Sequence, residues 1–175
     1  MPRNLPNILV TGTPGVGKSE MAHMLSEKTG LTWLDVSQLA IENKCVDEYD
    51  EVYQCRTLDE DKLLDGMESA MNGGGIIVDY HSAELFPERW FDIVFVLRTD
   101  NTILYDRLEK RGYSGKKLQD NIECEIFQTI LEEARSAYSK EIVHELFNDT
   151  FEQMTNNVDR ICQLLEQWKI NNQQT

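Results

Sequence analysis

An apolar segment that runs directly into a glycine-rich loop constrains the fold of this chain more than any other feature. Asn7–Thr11 (NILVT) has the length and composition of a buried strand. Gly12–Ser19 (GTPGVGKS) follows at once and fits the pattern G-x-x-x-x-G-K-[ST]. The apolar residues of Lys18–Lys28 then recur at helical spacing. Strand, glycine-rich loop and helix in this order predict a loop that binds phosphate groups.

The residue types of this loop indicate how it would bind. Glycines allow consecutive backbone N–H groups to point at one anion, and the start of the following helix adds a partial positive charge. Lys18 can reach the β- and γ-phosphates of a nucleotide, and Ser19 can place its hydroxyl on Mg²⁺. We expect the triphosphate to contact Gly12, Pro14, Gly15, Val16, Gly17, Lys18, Ser19 and Glu20.

The rest of the chain alternates short apolar segments with longer helical patterns. Further strands are predicted over Leu31–Val36, Ile76–Asp79, Ile93–Leu97 and Ile142–Phe147. Helices are predicted over Ser37–Lys44, Leu58–Met71, Asn101–Arg111, Lys117–Lys140 and Glu152–Ile170, whereas Val46–Thr57 shows no clear period. Continuous apolar strands are typical of a parallel sheet covered on both faces. We therefore predict one α/β domain over residues 1–175, of the P-loop NTPase type, with five parallel strands and helices on both faces.

A carboxylate at the end of the third predicted strand is the second candidate for chemistry. Ile76-Ile77-Val78-Asp79 is a hydrophobic strand that ends in an acid, which is the Walker B pattern. Such an acid lies near Mg²⁺ at the carboxyl edge of the sheet, although a strand-terminal Asp can also cap a helix. His81, two residues on, is a candidate to orient a water or accept a proton, or else a surface histidine.

The overall charge limits the kinds of partner. The formal net charge is −14, so we expect neither a broad nucleic-acid surface nor binding to anionic lipid. No apolar window is long enough to span a membrane, and Met1–Pro6 lacks the apolar core of a signal peptide. Cys45, Cys55, Cys124 and Cys162 lack close C-x-x-C spacing. We expect an intracellular monomer with four reduced thiols and no zinc site.

One basic segment interrupts this acidic balance. Five cations lie close together around Gly112-Tyr113-Ser114-Gly115, at Arg107, Lys110, Arg111, Lys116 and Lys117. A basic loop that closes over a nucleotide would neutralise the charge that phosphoryl transfer loads onto the γ-phosphate oxygens, although a solvated helix end is also possible. Arg89 is a further candidate to bind the phosphate of an acceptor.

Several segments together make the chain similar to one known family. These are the Gly12–Ser19 loop, Val78–His81 (VDYH), Phe86–Phe91 (FPERWF), Val94–Asp100 (VFVLRTD), Arg111–Tyr113 (RGY) and Asp120–Ile122 (DNI). The chain resembles the atypical nuclear adenylate kinases, also called adenylate kinase isoenzyme six or coilin-interacting nuclear ATPases. The resemblance extends roughly from Pro6 to Trp168.

The resemblance implies an adenylate-kinase-like fold and a set of activities. An NMP-binding segment would fall at about 35–58 and a short lid at about 110–120. The implied reaction is Mg²⁺-dependent transfer from ATP to AMP, with accompanying ATPase activity. Lys18, Asp79, His81 and Arg111 are the implied catalytic residues, and Ser19 and Asp79 the metal ligands. The family also implies location in nucleus and cytoplasm, and maturation of the small ribosomal subunit through one of its proteins.

Three positions depart from the family pattern. Glu20 stands where a second Thr is usual, so we expect its backbone rather than its carboxylate to serve the phosphates. Ile41 replaces an Arg of the NMP segment and cannot bind a phosphate; Arg56, where Pro is usual, is a candidate to compensate. We therefore expect weak AMP binding with competing hydrolysis. A nucleotide-gated ATPase assembly factor is the main alternative, and a GTPase, without an N-K-x-D segment, or a small-metabolite kinase fits less well.

Overall fold

The computed structural model describes residues 3–44, 46–50 and 55–173, with backbone only for 46–50 and 55–58. The strands are β1 (Ile8–Thr11), β2 (Thr32–Asp35), β3 (Val46–Asp50), β4 (Cys55–Leu58), β5 (Ile76–Asp79), β6 (Ile93–Arg98) and β7 (Val143–Phe147). The helices are α1 (Lys18–Thr29), α2 (Val36–Glu42), α3 (Glu60–Gly73), α4 (Asn101–Lys110), α5 (Gly115–Ile126), α6 (Thr129–Ala137) and α7 (Phe151–Gln173), with a 3₁₀ turn at Glu88–Trp90.

Five strands form one parallel sheet in the order β2-β5-β1-β6-β7. Val10 of the central strand β1 is in register with Asp79 of β5 on one side and with Phe95 of β6 on the other. Because all five strands run the same way, the loops after β1, β2 and β5 meet at one edge of the sheet. This confirms the predicted five-stranded parallel α/β fold.

Helices cover both faces of the sheet because alternate residues of each strand point to opposite sides. Ile8 and Val10 of β1 pack with α1, α4, α5 and α7, whereas Leu9 packs with α2, α3 and α6. All three side chains are fully buried, as are the corresponding residues Ile77 and Val78 of β5. The two apolar clusters hold the sheet edge rigidly, which gives the loops that follow the strands a fixed base.

The single helix predicted over Lys117–Lys140 is wrong, because the chain forms α5 and α6 with a break at Phe127–Gln128. Gln128 has a φ of 57°, in the left-handed region that ends an α-helix. The periodic spacing of Ile122 and Ile130 suggested one buried face. In the structure Ile122 packs on one face of the sheet and Ile130 on the other, and the helix breaks between them.

The aperiodic segment Val46–Thr57 contains the antiparallel pair β3 and β4, which sequence patterns did not predict. Residues 45 and 51–54 lie outside the described residues. The predicted NMP-binding segment, 35–58, is therefore described as residues 35–44, which include α2, and as the backbone of these two strands. Of the cysteines, Cys124 and Cys162 are free thiols, while Cys45 and the side chain of Cys55 lie outside that description. Within the described ranges, no helix is long and apolar enough to cross a membrane.

Candidate active site

The glycine-rich loop between β1 and α1 adopts a conformation that its glycines alone permit. Gly12 has a φ of 149°, and a Cβ there would lie 2.7 Å from the carbonyl oxygen of Leu97. Gly17 has a φ of 96° at the amino end of α1, and a Cβ there would lie 2.5 Å from Nδ2 of Asn148. A side chain at either position would be strained and would clash. The loop therefore wraps closely against β6 and the segment after β7.

Lys18 lies over this loop. Its Nζ donates hydrogen bonds to the carbonyl oxygens of Gly12 at 2.9 Å and Thr13 at 3.1 Å. Loss of water around the half-buried side chain lowers the pKa of Lys18 to about 8, and the positive charge of Arg111 acts in the same direction, against the opposing carboxylate of Asp79. The charges of Lys18 and Arg111 therefore repel each other, and an anion bound near both would relieve that repulsion.

Ser19 and Asp79 meet at the same edge. The Ser19 hydroxyl donates a 2.7 Å hydrogen bond to Oδ2 of Asp79. Asp79 is buried, with 4% of its surface exposed. Burial raises the pKa of Asp79, and the bond from Ser19 and the charge of Lys18 oppose this. Asp35, at the end of β2, is the register partner of Asp79 and adds further negative charge. The structure thus brings together Lys18, Ser19 and Asp79 as predicted.

The oxygen atoms of Ser19 and Asp79 suit Mg²⁺ better than a metal ion whose ligands all come from the protein. A hydroxyl and a buried carboxylate are hard ligands, and the negative potential around Asp79 and Asp35 is suited to a cation. Among the described residues no cluster of three or more His, Cys, Asp or Glu side chains could hold a metal ion. Mg²⁺ usually keeps waters and phosphate oxygens beside one or two protein groups, so Ser19 and Asp79 would suffice.

A cavity of about 340 Å³ opens on one side of the loop. Its lining includes Gly15 and Gly17 of the loop, Glu20 of α1, Arg111 at the end of α4, and Phe151 at the start of α7. Glu20 and Arg111 are exposed, and Phe151 is 71% exposed although it is aromatic. This volume is in the range of pockets that take small ligands.

A second cavity, of about 370 Å³, also borders the loop and shares no lining residue with the first. Its lining includes Pro14 of the loop, Ser37 of α2, His81 after β5, and Tyr113 and Asn121 near the start of α5. His81 is exposed, and its ring is tilted by 46° against that of Tyr80, with 4.3 Å between the ring centroids. Desolvation by the surrounding protein and the charge of Lys18 lower the pKa of His81 to about 4, so its imidazole is neutral near pH 7.

The segment expected to form a lid is a short turn between two helices. Residues 111–114 join α4 to α5, and Arg111 lines the first cavity while Tyr113 lines the second. The basic residues around this turn are not all directed at it. Lys116 pairs with Asp120 at 3.6 Å, and Lys117 lies 4.4 Å from the centre of the Tyr113 ring.

Arg107 and Asn148 bind carbonyl groups of the loop and line the first cavity, a role that sequence patterns assigned to neither residue. Arg107 donates to the carbonyl oxygens of Gly15 at 3.2 Å and Asp149 at 2.8 Å. Nδ2 of Asn148 donates to the carbonyl oxygen of Val16 at 2.7 Å. With these carbonyls held from behind, the loop N–H groups remain available to an anion. Arg107 therefore does not belong to the mobile basic group that the sequence suggested.

Arg89 is not brought to the site, which corrects the prediction that it binds an acceptor phosphate. Its guanidinium pairs with Glu68 at 2.7 Å, and its carbonyl accepts a bond from Arg3. Arg3 pairs with Asp92, just before β6, so Arg89 lies at the amino edge of the parallel strands. The phosphate loop lies at the carboxyl edge, one strand length or about 13 Å away. Arg56 lies in β4, where side chains are outside the description, and stays a prediction.

Known proteins are similar to this chain over nearly its whole length. A family described as an AAA domain matches residues 8–128. The adenylate kinase isoenzyme 6 homolog of Caenorhabditis elegans is 53% identical, over 95% of this chain and 93% of that protein. The homolog of Dictyostelium discoideum is 49% identical, over 95% of each chain. A gluconokinase structure from Sinorhizobium meliloti shares the fold with a TM-score of 0.63 at 16% identity, over 97% of this chain and 99% of that one.

Proposed function

This chain belongs to the family of adenylate kinase isoenzyme 6 homologues and is therefore a nucleotide kinase, and from that premise we propose that it transfers the γ-phosphoryl group of ATP to AMP. One observation carries the proposal. Two separate cavities of about 340 and 370 Å³ both border the phosphate loop, one at Gly15 and Gly17 and the other at Pro14. A hydrolase needs a single nucleotide pocket, whereas a kinase needs two that meet at the transferred group.

The cavity beside Gly15 and Gly17 suits the donor, ATP. A triphosphate on the loop N–H groups can extend its ribose and base into this cavity, between Arg111 and Phe151. The exposed ring of Phe151 offers a flat apolar surface on which a base can stack. Glu20 lines the same cavity, and we propose that its carboxylate faces the ribose rather than the phosphates.

The cavity that contains His81 suits the acceptor, AMP. Ser37 and Asn121 offer hydrogen bonds, and the neutral imidazole of His81 can accept one from an acceptor group or a water. Ile41 lies one helical turn after Ser37 and is 58% exposed, on the side where the family pattern has an arginine. AMP is therefore bound without that charge, which favours a high KM for AMP.

Transfer needs positioning and charge stabilisation, without a covalent enzyme intermediate. An acceptor phosphate oxygen forms a bond to the γ-phosphorus of ATP while the bond to the β–γ bridging oxygen breaks, so ATP and AMP become two ADP. Lys18 and Arg111 hold the negative charge on the phosphoryl oxygens from two sides. Ser19 and Asp79 would hold Mg²⁺, which neutralises β- and γ-phosphate charge when bound.

ATP hydrolysis is the second candidate activity, and the short turn at residues 111–114 favours it. Kinases avoid hydrolysis by excluding water from the γ-phosphate, and a four-residue connection between α4 and α5 covers little of it. In this alternative the protein is an ATPase assembly factor. Its net charge of −14 is suited to a basic partner, for which we propose a protein of the small ribosomal subunit, in the nucleus and cytoplasm.

A nucleotide acceptor scan separates the two candidates. ADP formation is measured with Mg·ATP alone, and then with AMP, CMP, GMP or UMP added. A rate with AMP at least tenfold above the rate without acceptor supports the kinase. A rate that no monophosphate raises, and that a basic ribosomal protein does raise, would reject it in favour of the assembly factor.

A further inference from the structure

A buried carboxylate on α5 contacts the phosphate loop from inside the protein. Glu125 is 2% exposed, near the end of the helix that begins at the 111–114 turn. Its Oε1 accepts a 3.0 Å hydrogen bond from the hydroxyl of Thr13. Its Oε2 accepts bonds from Nε of Arg98 at 3.1 Å and the backbone N–H of Thr99 at 2.9 Å. Three donors satisfy the group, which a buried carboxylate requires.

Charge balance alone does not explain this carboxylate. Arg98 also donates to Glu145 at 2.9 Å, so one guanidinium faces two carboxylates. Glu145 would be enough to neutralise Arg98, and Glu125 therefore adds a net negative charge behind a loop that has to attract phosphates. A carboxylate in such a position is costly unless its contacts serve the loop.

Thr13, which contacts Glu125, also contacts Lys18. The side chain of Thr13 donates to Glu125, while its carbonyl oxygen accepts the 3.1 Å bond from Nζ of Lys18. One residue thus connects the buried carboxylate to the ammonium group that faces the phosphates. The negative charge of Glu125 also acts on Lys18 and favours its protonated form.

The same contact connects the loop to the lid turn. α5 is tied to the loop by Glu125 and Thr13, and α4 is tied to it by the bond from Arg107 to the Gly15 carbonyl. The turn at residues 111–114 joins these two helices. Both helices that flank the turn are therefore anchored on the loop.

We propose that Glu125 is a positioning residue that holds the phosphate loop, through the Thr13 hydroxyl, in the conformation that binds the phosphates of the donor nucleotide. The inference rests on the proposed function only in that the ligand is a nucleotide. Glu125 itself does not touch the reacting atoms. It sets the turn at Thr13, and with it the position of Lys18.

The test removes the hydroxyl without changing the shape of the side chain. Thr13→Val leaves Glu125 its bonds from Arg98 and Thr99, so we expect the fold to persist. We expect the Kd for Mg·ATP to rise about tenfold and the KM for AMP to stay within twofold. Thr13→Ser restores the hydroxyl and should recover most of the lost affinity. Thr29→Val is the matched control in α1, outside the site, and should bind as the parent protein does.

A double-mutant cycle tests whether the two residues act through one contact. Glu125→Gln should weaken Mg·ATP binding, and the pair Thr13→Val with Glu125→Gln should be no worse than the poorer single variant. Additive losses would overturn the inference, because they would mean independent roles.

Hydrogen exchange of the ligand-free protein separates this inference from the proposed function. Amides of residues 12–19 should exchange at least fivefold faster in Thr13→Val than in the parent or in Thr29→Val. Unchanged exchange together with unchanged ATP affinity would overturn the inference. Failure of the parent protein to bind Mg·ATP would instead overturn the proposed function, while the exchange comparison would still decide the role of Glu125.

Discussion

The hydroxyl of Ser19 donates a 2.7 Å hydrogen bond to Oδ2 of Asp79, which joins the first turn of α1 to the end of β5. Sixty positions separate the two residues, and the parallel pairing of β1 with β5 brings them together. The contact brings together the two oxygen groups that we propose as ligands of Mg²⁺. The predictions below follow from this arrangement and from the two cavities that adjoin it.

Replacement of Asp79 should raise the Mg²⁺ requirement. Asp79→Asn keeps the shape but removes the charge, so we expect the Mg²⁺ concentration for half-maximal ADP formation to rise about 10- to 100-fold. Ser19→Ala removes a neutral ligand and should have a smaller effect. Ser26→Ala, in the same helix, is the control. An Asp79→Asn enzyme with the Mg²⁺ dependence of the parent protein would rule out the metal role.

The pKa of Lys18 predicts an alkaline limit. Burial lowers this pKa to about 8, and only the protonated ammonium attracts phosphate. We expect kcat/KM for ATP to fall tenfold for each pH unit above about 8, because kcat/KM reports the free enzyme. The apparent pKa in the kcat profile should lie higher, because bound phosphates stabilise the positive charge of Lys18. Profiles from pH 6.5 to 9.5 measure both, and a kcat/KM that stays flat to pH 9.5 would be inconsistent with this role.

His81 should remain neutral through the physiological range. Desolvation and the charge of Lys18 lower its pKa to about 4, so an imidazole titration near 6.5 is not expected. Nitrogen-15 NMR of the histidine rings from pH 8 to 5, assigned with His81→Asn, should show the neutral form throughout. A midpoint between pH 6 and 7 would contradict it.

An arginine at position 41 should improve AMP binding. Ile41 is exposed on the face of α2 that also carries Ser37, which lines the acceptor cavity. A charge-assisted bond contributes about 1.5–3 kcal/mol, so Ile41→Arg should lower the KM for AMP by roughly 10- to 100-fold. Asn43→Arg adds the same charge just beyond the helix as a control. If Ile41→Arg leaves the KM unchanged and AMP already saturates at micromolar concentration, the predicted defect in AMP binding does not exist.

The central sheet and its phosphate loop could be predicted because both are local in the sequence. β1 is a continuous apolar segment, and the spacing of the loop glycines is typical of phosphate-binding loops and uncommon elsewhere. Asp79 could be found for the same reason, since it ends an apolar strand. The contact between Ser19 and Asp79 then follows from parallel pairing alone.

Features that depend on distant packing could not be predicted. The break at Gln128 lies between Ile122, which packs on one face of the sheet, and Ile130, which packs on the other, whereas their apolar spacing in sequence is typical of one continuous helix. The sequence placed Arg107 in a closing basic loop and gave no sign of a role for Glu125. Their contacts with the loop join residues about 90 and 110 positions apart, respectively. Arg89 was misplaced because its sequence neighbours do not reveal at which edge of the sheet it lies.

Calorimetric titration of Mg·ATP tests the central claim most directly, namely that residues 12–19 bind the nucleotide phosphates with Lys18 in contact. The parent protein should bind one ATP per chain, and Lys18→Met should lose about 100-fold in affinity or more. Lys28→Met, which removes an exposed lysine of the same helix that pairs with Asp159, should bind like the parent. No heat of binding for the parent protein, or equal affinity in Lys18→Met, would contradict the claim.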